Sequence, residues 1–373
     1  MSSEPVRRLC LALALAAAIA ALPARPASAP GASEDFEAIA AAQAVANAKP
    51  GPRTTPGMVI PVPTADVSPE MQAIIAAPYG PFRDAPGTAA EWKRKIAERT
   101  RPVLDGLPAL RQALGVTIQP AVIGGVKAFI LEPRAIPPKN RNRLLVLIHG
   151  GAYVFYPGEA GTGEGTLMAG LGGFKVICID YRMPPNDPYP AALDDTIAVW
   201  RELLKSTKPE NVGMFGTSSG GGLLLATMLR AKDERLPLPG AIAPGTPWSD
   251  LDKIGDSYFA NAWIDNYLVN YDRELASAAR LYASGQDLRN PYLSPVYGDF
   301  SGFPPTILTT GTRDLFLSNT VRVHRKLRRA GVIAELNVYE GVSHAEYLAL
   351  PDVPETREAF GEIAEFFDRH LAE

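Results

Sequence analysis

The chain has 373 residues, 46% of them hydrophobic and 21% charged, which is the composition of a globular protein with a large core and excludes a disordered or fibrous one. Lysine plus arginine number 37 against 40 aspartate plus glutamate, and the net charge of -3 excludes a general electrostatic pull toward nucleic acid or anionic membranes. There are two cysteines, and Cys10 lies in an N-terminal apolar run that would be lost on cleavage, leaving Cys178 without a disulfide partner.

At the N-terminus, Arg7 and Arg8 precede an apolar stretch from Leu9 to Leu22, and "PASA" ending at Ala29 offers small residues for cleavage. Residues 1–29 therefore read as a signal peptide, and the protein is expected to be exported, periplasmic or secreted. The adjacent arginines also suit a twin-arginine signal. The apolar run is shorter than the ~18 residues that span a bilayer, so no stable membrane anchor is expected. Residues 30–120 read as a lead-in followed by N-terminal cap helices. To about residue 70 the segment is rich in Ala, Pro and Gly with little periodicity. From 68 to 115, helical spacing as in "AAEWKRKIAERTRPVLDGLPALRQALG" is punctuated by Pro and Gly, which predicts several short helices.

From residue 121 to 373 the texture is that of a single α/β domain. The runs "VKAFILEP", "RLLVLIH", "FKVICID", "NVGMFGT", "GAIAPGT", "TILTTGT" and "IAELNVYE" are mostly continuous in apolar character, as strands buried on both faces of a parallel sheet require. Helical patterns at 190–205, 219–232, 318–330 and 355–371 alternate with them, which predicts a mostly parallel, doubly wound sheet. The interval 251–300 is too long for a bare loop, and its first part, to about 290, carries helical content that fits a cap insertion. The basic run "VRVHRKLRRAG" at 321–331 reads as the solvated face of a helix, and Cys178 in "FKVICID" as a small core residue.

The chemistry concentrates in four places. Gly216-Thr217-Ser218-Ser219-Gly220 follows an apolar strand and opens a helix, the setting of a nucleophile elbow. Ser218 has glycine two residues before and two after it, as a sharp turn requires, whereas Ser219 has Thr217 two residues before. A serine hydroxyl needs a base to take its proton. Of His149, His324, His344 and His370, His344 stands in a glycine-containing loop after the last strand, where it can reach over the sheet; His324 and His370 lie within helices. The imidazole in turn needs a carboxylate. Asp314, just after "TILTTGT", is better placed than Asp287 or Asp299, which precede that strand. "HGGA" at 149–152 can turn backbone N–H groups toward a developing oxyanion, with Gly151, Ala152 and the Ser219 amide as donors and Gly150 allowing the turn. His149 then reads as a structural residue of that loop. No HExxH, CxxC or GxxxxGK pattern is present, so no metal or other cofactor is expected.

Taken together, "HGGAY", "DYRMPPNDPYPAALDD", "GTSSGGG", "GTRD" and "GVSHAEY" stand in the order and approximate spacing of the hormone-sensitive-lipase-like bacterial esterases, and residues 121–370 resemble that family. The resemblance implies an α/β-hydrolase fold with a helical cap, built from the N-terminal region and from the insertion after the sixth strand. It also implies Ser218 as nucleophile, Asp314 as acid, His344 as base, and Gly151, Ala152 and Ser219 as oxyanion donors. The chain departs from the family pattern at Ala152, where a third glycine is usual, and at Thr217, where many members carry an acid. Ser219 adds a hydroxyl near the oxyanion site, and Asn186 and Asp187 replace the usual Glu and His. Asp180 and Tyr181 are expected to support the oxyanion loop.

The expectation is an exported, cofactor-free serine esterase acting on short- to medium-chain carboxylic esters, with lactones as a further substrate class. A hydrolase of amides or carbonates with the same triad, or a non-catalytic binding protein on this fold, are the alternatives. The expected partner is a small-molecule ester, with no nucleic acid; a homodimer is compatible with the sequence. Trp92, Tyr258, Phe259, Trp263, Tyr267 and Tyr271 make the cap rich in aromatics, some of which are expected to line an apolar pocket.

Overall fold

The computed structural model describes residues 57, 59–78 and 85–372, so residues 1–29, expected to be a signal peptide, and most of the expected lead-in lie outside the described residues. Contacts divide the chain into a unit that takes in Pro63–Glu373 and a second, Ala18–Val62; the architecture below is that of the first.

Eight strands form one sheet: β1 (Val116–Ile123), β2 (Val126–Pro133), β3 (Leu144–Ile148), β4 (Lys175–Ile179), β5 (Val212–Thr217), β6 (Ala241–Gly245), β7 (Thr306–Gly311) and β8 (Ala334–Tyr339). Their spatial order is β1-β2-β4-β3-β5-β6-β7-β8. β1 and β2 run antiparallel to their neighbours, and every pairing from β4 through β3 to β8 is parallel. The central strands are buried along their whole length, β5, β6 and β7 at every residue, which is why they read as continuous apolar runs.

The sheet begins at Val116, ahead of the boundary drawn at 121. β1 escaped the sequence reading because it is an edge strand with mostly accessible residues and a proline, Pro120, which suits an edge but weakens a strand pattern. The turn to β2 is made by Gly124 and Gly125, both at positive φ (59° and 84°).

The helices are α1 (Pro69–Ile75), α2 (Ala89–Leu114), α3 (Gly163–Leu167), α4 (Ala191–Leu203), α5 (Ser219–Asp233), α6 (Ser257–Ala260), α7 (Glu274–Ala283), α8 (Leu317–Arg329) and α9 (Pro354–His370). Of the several short helices expected over 68–115, α1 is one, but the stretch from Ala89 to Leu114 forms a single helix of 26 residues, α2, with Pro102 and Pro108 inside it. Each interior proline costs ~3 kcal/mol. Offsetting this, Trp92, Val103, Leu107 and Leu110 are buried along one stripe, at ~1.5–3 kcal/mol each. A capping box between Thr88 and Glu91 fixes its start, and Gly115 in the left-handed region (φ 65°) closes its end.

Helices α4, α5 and α8 cover one face of the sheet, where Leu193, Ile197, Trp200, Leu224 and Val323 join the core. Helix α9 and the lower part of α2 cover the other, through Phe360, Phe367, Val103 and Leu107. Between β6 and β7 the insertion carries α6 and α7. Cys178 is buried on β4, and burial pushes its thiol far up. Among the described residues no helix is long and apolar enough to cross a membrane.

Candidate active site

Ser218, Asp314 and His344 all stand just beyond the C-terminal ends of parallel strands, β5, β7 and β8, at the edge of the sheet where an open α/β fold leaves a crevice. Ser218 occupies the turn between β5 and α5 with φ 63° and ψ -125°, an unfavourable backbone for a residue with a side chain. The surroundings hold it there: its amide donates to the Gly245 carbonyl at 2.9 Å, and its carbonyl accepts the amides of Gly222 at 3.0 Å and Trp248 at 2.9 Å. A Cβ on either Gly216 or Gly220 would lie 2.1 Å from the Ile148 carbonyl oxygen, so both flanking positions must be glycine for the turn to close.

The three side chains are joined in a line. His344 Nε2 lies 2.8 Å from Ser218 Oγ, and His344 Nδ1 lies 3.0 Å from Asp314 Oδ1. Because Nδ1 faces a carboxylate it carries the hydrogen, which leaves Nε2 free to accept from the serine hydroxyl. Asp314 is fully buried and held from three sides. Its Oδ1 also accepts the Phe316 amide at 2.7 Å, and its Oδ2 accepts the hydroxyls of Thr310, at 2.8 Å, and Thr246. The ring of Phe316 meets His344 edge-on at 4.7 Å. Asp287 and Asp299 are exposed, and His324 and His370 sit on α8 and α9, none of them bonded to this line.

The oxyanion loop follows β3. Gly151, Ala152 and Tyr153 take φ values of 118°, 53° and 63°. This turns the segment so that Gly150, Gly151 and Ala152 border the same cavity as Ser218. Among the described residues the amides of these three have no acceptor. The Ser219 amide, first in α5, is one of those a helix start leaves without an intrahelical partner. A Cβ at Gly150 would sit 2.6 Å from the Thr217 carbonyl oxygen, which explains the glycine, while Ala152 accepts its left-handed backbone despite its methyl group. The side chain of Ser219 is fully buried and stands outside the cavity wall, so its hydroxyl does not crowd the substrate.

His149 is a support of this loop. Its Nδ1 lies 2.7 Å from the Gly150 carbonyl, its ring stacks on Tyr181 at 4.4 Å, and burial pushes its titration down, keeping it neutral. Tyr181 donates its hydroxyl to the His149 carbonyl at 2.7 Å and so braces the loop as expected, whereas Asp180 accepts the Gly158 amide at 2.7 Å, beyond the loop's end.

The cavity above the line has a volume of about 180 Å³. Arg99 and Val103 of α2, Phe155 and Tyr156 of the oxyanion loop, and Tyr267 and Leu268 of the insertion contribute to its wall. Of the six cap aromatics, some of which were expected to line an apolar pocket, Tyr267 alone borders this cavity among the described residues. Trp92, Tyr258 and Tyr271 are core, and Phe259 and Trp263 are 65% and 53% exposed.

Sequence reasoning missed three carboxyl groups around the line. Burial pushes Asp265 up to about 6; the Asp314 charge adds to this and His344 opposes it. Glu164 is raised to about 7 by burial, against hydrogen bonds from Thr217. Glu346 is raised to about 7 by burial, with the Ser343 amide opposing and the Asp265 charge adding. Nothing local marks them, because each acquires its setting only when distant loops meet. Among the described residues no group of three or more His, Cys, Asp or Glu is arranged to hold a metal ion.

Comparison with known proteins agrees with this geometry. Residues 145–348 match the model of a family described by its alpha/beta hydrolase fold. The chain is 30% identical over 234 residues to an acetyl-hydrolase of Streptomyces hygroscopicus, covering 62% of this chain and 77% of the relative. It is 30% identical over 270 residues to an esterase of Acinetobacter venetianus, covering 71% and 87%. Among solved structures it is similar to the esterase E25, with 41% identity and a TM-score of 0.83 over 86% of this chain and 99% of the other. An esterase from the bacterial hormone-sensitive lipase family follows at 27% identity and a TM-score of 0.69, over 77% and 100%.

Proposed function

Because the chain belongs to the α/β-hydrolase fold family, as one of its hormone-sensitive-lipase-like carboxylic ester hydrolases, we propose that it cleaves short- to medium-chain esters through an acyl-enzyme on Ser218. The observation that carries this reading is the unbroken line from Ser218 Oγ to His344 Nε2 and from His344 Nδ1 to Asp314 Oδ1.

In the first step the Ser218 hydroxyl passes its proton to His344 Nε2 as Oγ attacks the ester carbonyl. The imidazolium that forms is stabilised by the buried Asp314 carboxylate, and the oxyanion meets the amides of Gly151, Ala152 and Ser219, with Gly150 permitting the turn. Collapse expels the alcohol, whose oxygen takes the proton from His344. Water then repeats the sequence on the acyl-enzyme, giving the acid and restoring the Ser218 hydroxyl. Attack on a ring ester follows the same course, with the alcohol remaining tethered to the acyl-enzyme, so lactones belong to the proposed range. The wall of this cavity of about 180 Å³, formed by Arg99, Val103, Phe155, Tyr156, Tyr267 and Leu268, supports a preference for short acyl chains.

The test is a series of p-nitrophenyl esters from acetate to palmitate, with lactones and anilides alongside. Turnover peaking at short chains and lost by ~10³-fold or more in S218A is the expected result. Wild-type rates in S218A, or activity confined to long emulsified chains, would overturn it. Export rests on Arg7, Arg8 and the apolar run that follows. N-terminal sequencing of the protein from culture fluid or periplasm tests it, and an intact Met1 in an exclusively cytoplasmic protein would refute it.

A further inference from the structure

The cavity carries acidic groups that the proposed mechanism does not use. Glu346, two residues past His344, is 6% exposed and engaged by its own loop, accepting the Ser343 amide on Oε2 at 2.8 Å. Glu164, on α3, differs: it is only partly buried, and the surface it borders is the cavity itself.

The Thr217 hydroxyl donates to Glu164 Oε1 at 2.7 Å, and the Tyr347 hydroxyl lies 2.8 Å from the same threonine oxygen. Thr217 immediately precedes Ser218, so the acid that many family members carry at that position is here supplied from α3. Among the described residues Glu164 forms no ion pair. A carboxylate offers about four acceptor sites, and Thr217 uses few of them. A carboxyl with spare acceptor capacity, no cation beside it and its open surface on a substrate cavity invites a substrate partner.

The chemistry of that partner follows from the carboxyl. Burial brings Glu164 to about 7, so both protonation states are present near neutral pH. An alkyl chain leaves either state unpaired. A carboxylate on the substrate is repelled by the ionised state, and an ammonium pairs with that state alone. A hydroxyl donates to the carboxylate and accepts from the acid, so it is satisfied in both.

We infer that Glu164 is a specificity-determining residue: its carboxyl, set in the cavity wall beside the Thr217–Ser218 elbow, binds a hydroxyl on the substrate, so the preferred esters are short ones hydroxylated on the acyl chain or the alcohol. This rests on the esterase reading above and narrows its substrate class. A site built to bond a substrate hydroxyl disfavours the analogue that lacks it, here by about 10-fold or more.

The test compares kcat/KM within two pairs, p-nitrophenyl 3-hydroxybutyrate against p-nitrophenyl butyrate and 2-hydroxyethyl butyrate against propyl butyrate, in the wild type, E164Q and E164L. The wild type is expected to favour the hydroxylated member of at least one pair by ~10-fold, E164Q to keep most of that ratio because an amide also donates and accepts, and E164L to bring it near one. No preference in the wild type, or a preference undiminished in E164L, overturns the inference. Failure to hydrolyse any of the four esters would instead overturn the esterase reading. If E164L does not fold, p-nitrophenyl hemisuccinate serves: its rate relative to butyrate should fall from pH 6 to 8 in the wild type as Glu164 and Glu346 ionise, and fall less in E164Q. Equal falls in both proteins refute the role of Glu164.

Discussion

Asp265 accepts the Leu315 amide at 2.8 Å, and Leu315 is the residue directly after Asp314. The other oxygen of Asp265 accepts the amides of Tyr267 at 2.9 Å and Leu268 at 2.8 Å, two residues of the cavity wall. One buried carboxyl thus joins the insertion to the acid loop. Asn261 strengthens the join by donating to the carbonyls of Thr312 and Asp314, and the Asn266 amide donates to the Ser343 hydroxyl beside His344 at 3.3 Å. D265N should keep the bonds to Tyr267 and Leu268 while turning an NH2 group against the Leu315 amide, a loss worth ~1–3 kcal/mol. The expected outcome is a kcat lowered about 10-fold with a smaller change in KM, at about 1.4 kcal/mol per tenfold. Steady-state kinetics on p-nitrophenyl butyrate checks this, with circular dichroism to establish folding. A folded D265N with kcat within twofold of the wild type would remove Asp265 from the positioning of Asp314.

The residues proposed for chemistry were legible because each sits where a strand ends, and strand ends are marked by glycine. Gly216 and Gly220 frame Ser218, Gly311 precedes Asp314, and Gly341 precedes His344. The runs of the central strands were legible because burial on both faces leaves no exposed positions in β5, β6 and β7, and the polar residues they hold are threonines, which favour strands. What could not be read was whatever depends on contacts between distant segments. Glu164 gains its setting from Thr217, 53 positions away, and Asp265 from Leu315, 50 positions away. The prolines of α2 misled because local propensity counts their cost, whereas the burial that offsets it appears only when the helix lies on the sheet. Which of the cap aromatics would line the cavity could not be read, because such residues are as useful for holding the insertion together as for meeting substrate; Tyr267 does line it. Tyr258 and Tyr271, whose rings meet at 5.3 Å, hold the insertion together.

Glu346 gives the fold a pH dependence of predictable sign. Its folded value, about 7, is raised from an ordinary 4.5 by burial, so between those limits the native state holds a proton that the unfolded chain releases. The contribution is fully present below about pH 4.5 and is lost as the pH rises through about 7. E346Q cannot ionise and keeps an oxygen to accept the Ser343 amide, so it should lose less stability than the wild type between pH 5 and 8. Thermal melts across that range check the slope. A difference in Tm between the two proteins that stays constant with pH would show that Glu346 does not titrate there.

Glu274, the first residue of α7, fastens the insertion to α2. Its carboxylate receives Lys95 Nζ at 2.5 Å and both terminal nitrogens of Arg99, at 2.6 and 2.7 Å, and Arg99 lies over the Phe155 ring at 4.2 Å. The side chains are 12–19% exposed, so the cluster belongs neither with surface pairs, worth ~0–1 kcal/mol, nor with fully buried ones, whose breakage costs ~3–5 kcal/mol. A loss of about 2 kcal/mol in E274A lies between these. Because Arg99, Phe155 and Glu274 all line the cavity, releasing the clamp should loosen one wall while leaving the Ser218–His344–Asp314 line in place. The expected signature is a KM raised several-fold with kcat changed much less, together with a lower Tm. The Tm gap should narrow as salt is raised, because screening weakens the wild-type pair. R99K, which keeps the charge but not the two-pronged contact, should fall between wild type and E274A. A fall in kcat equal to the loss in kcat/KM would place the effect of Glu274 on the reacting groups and overturn its assignment to the wall.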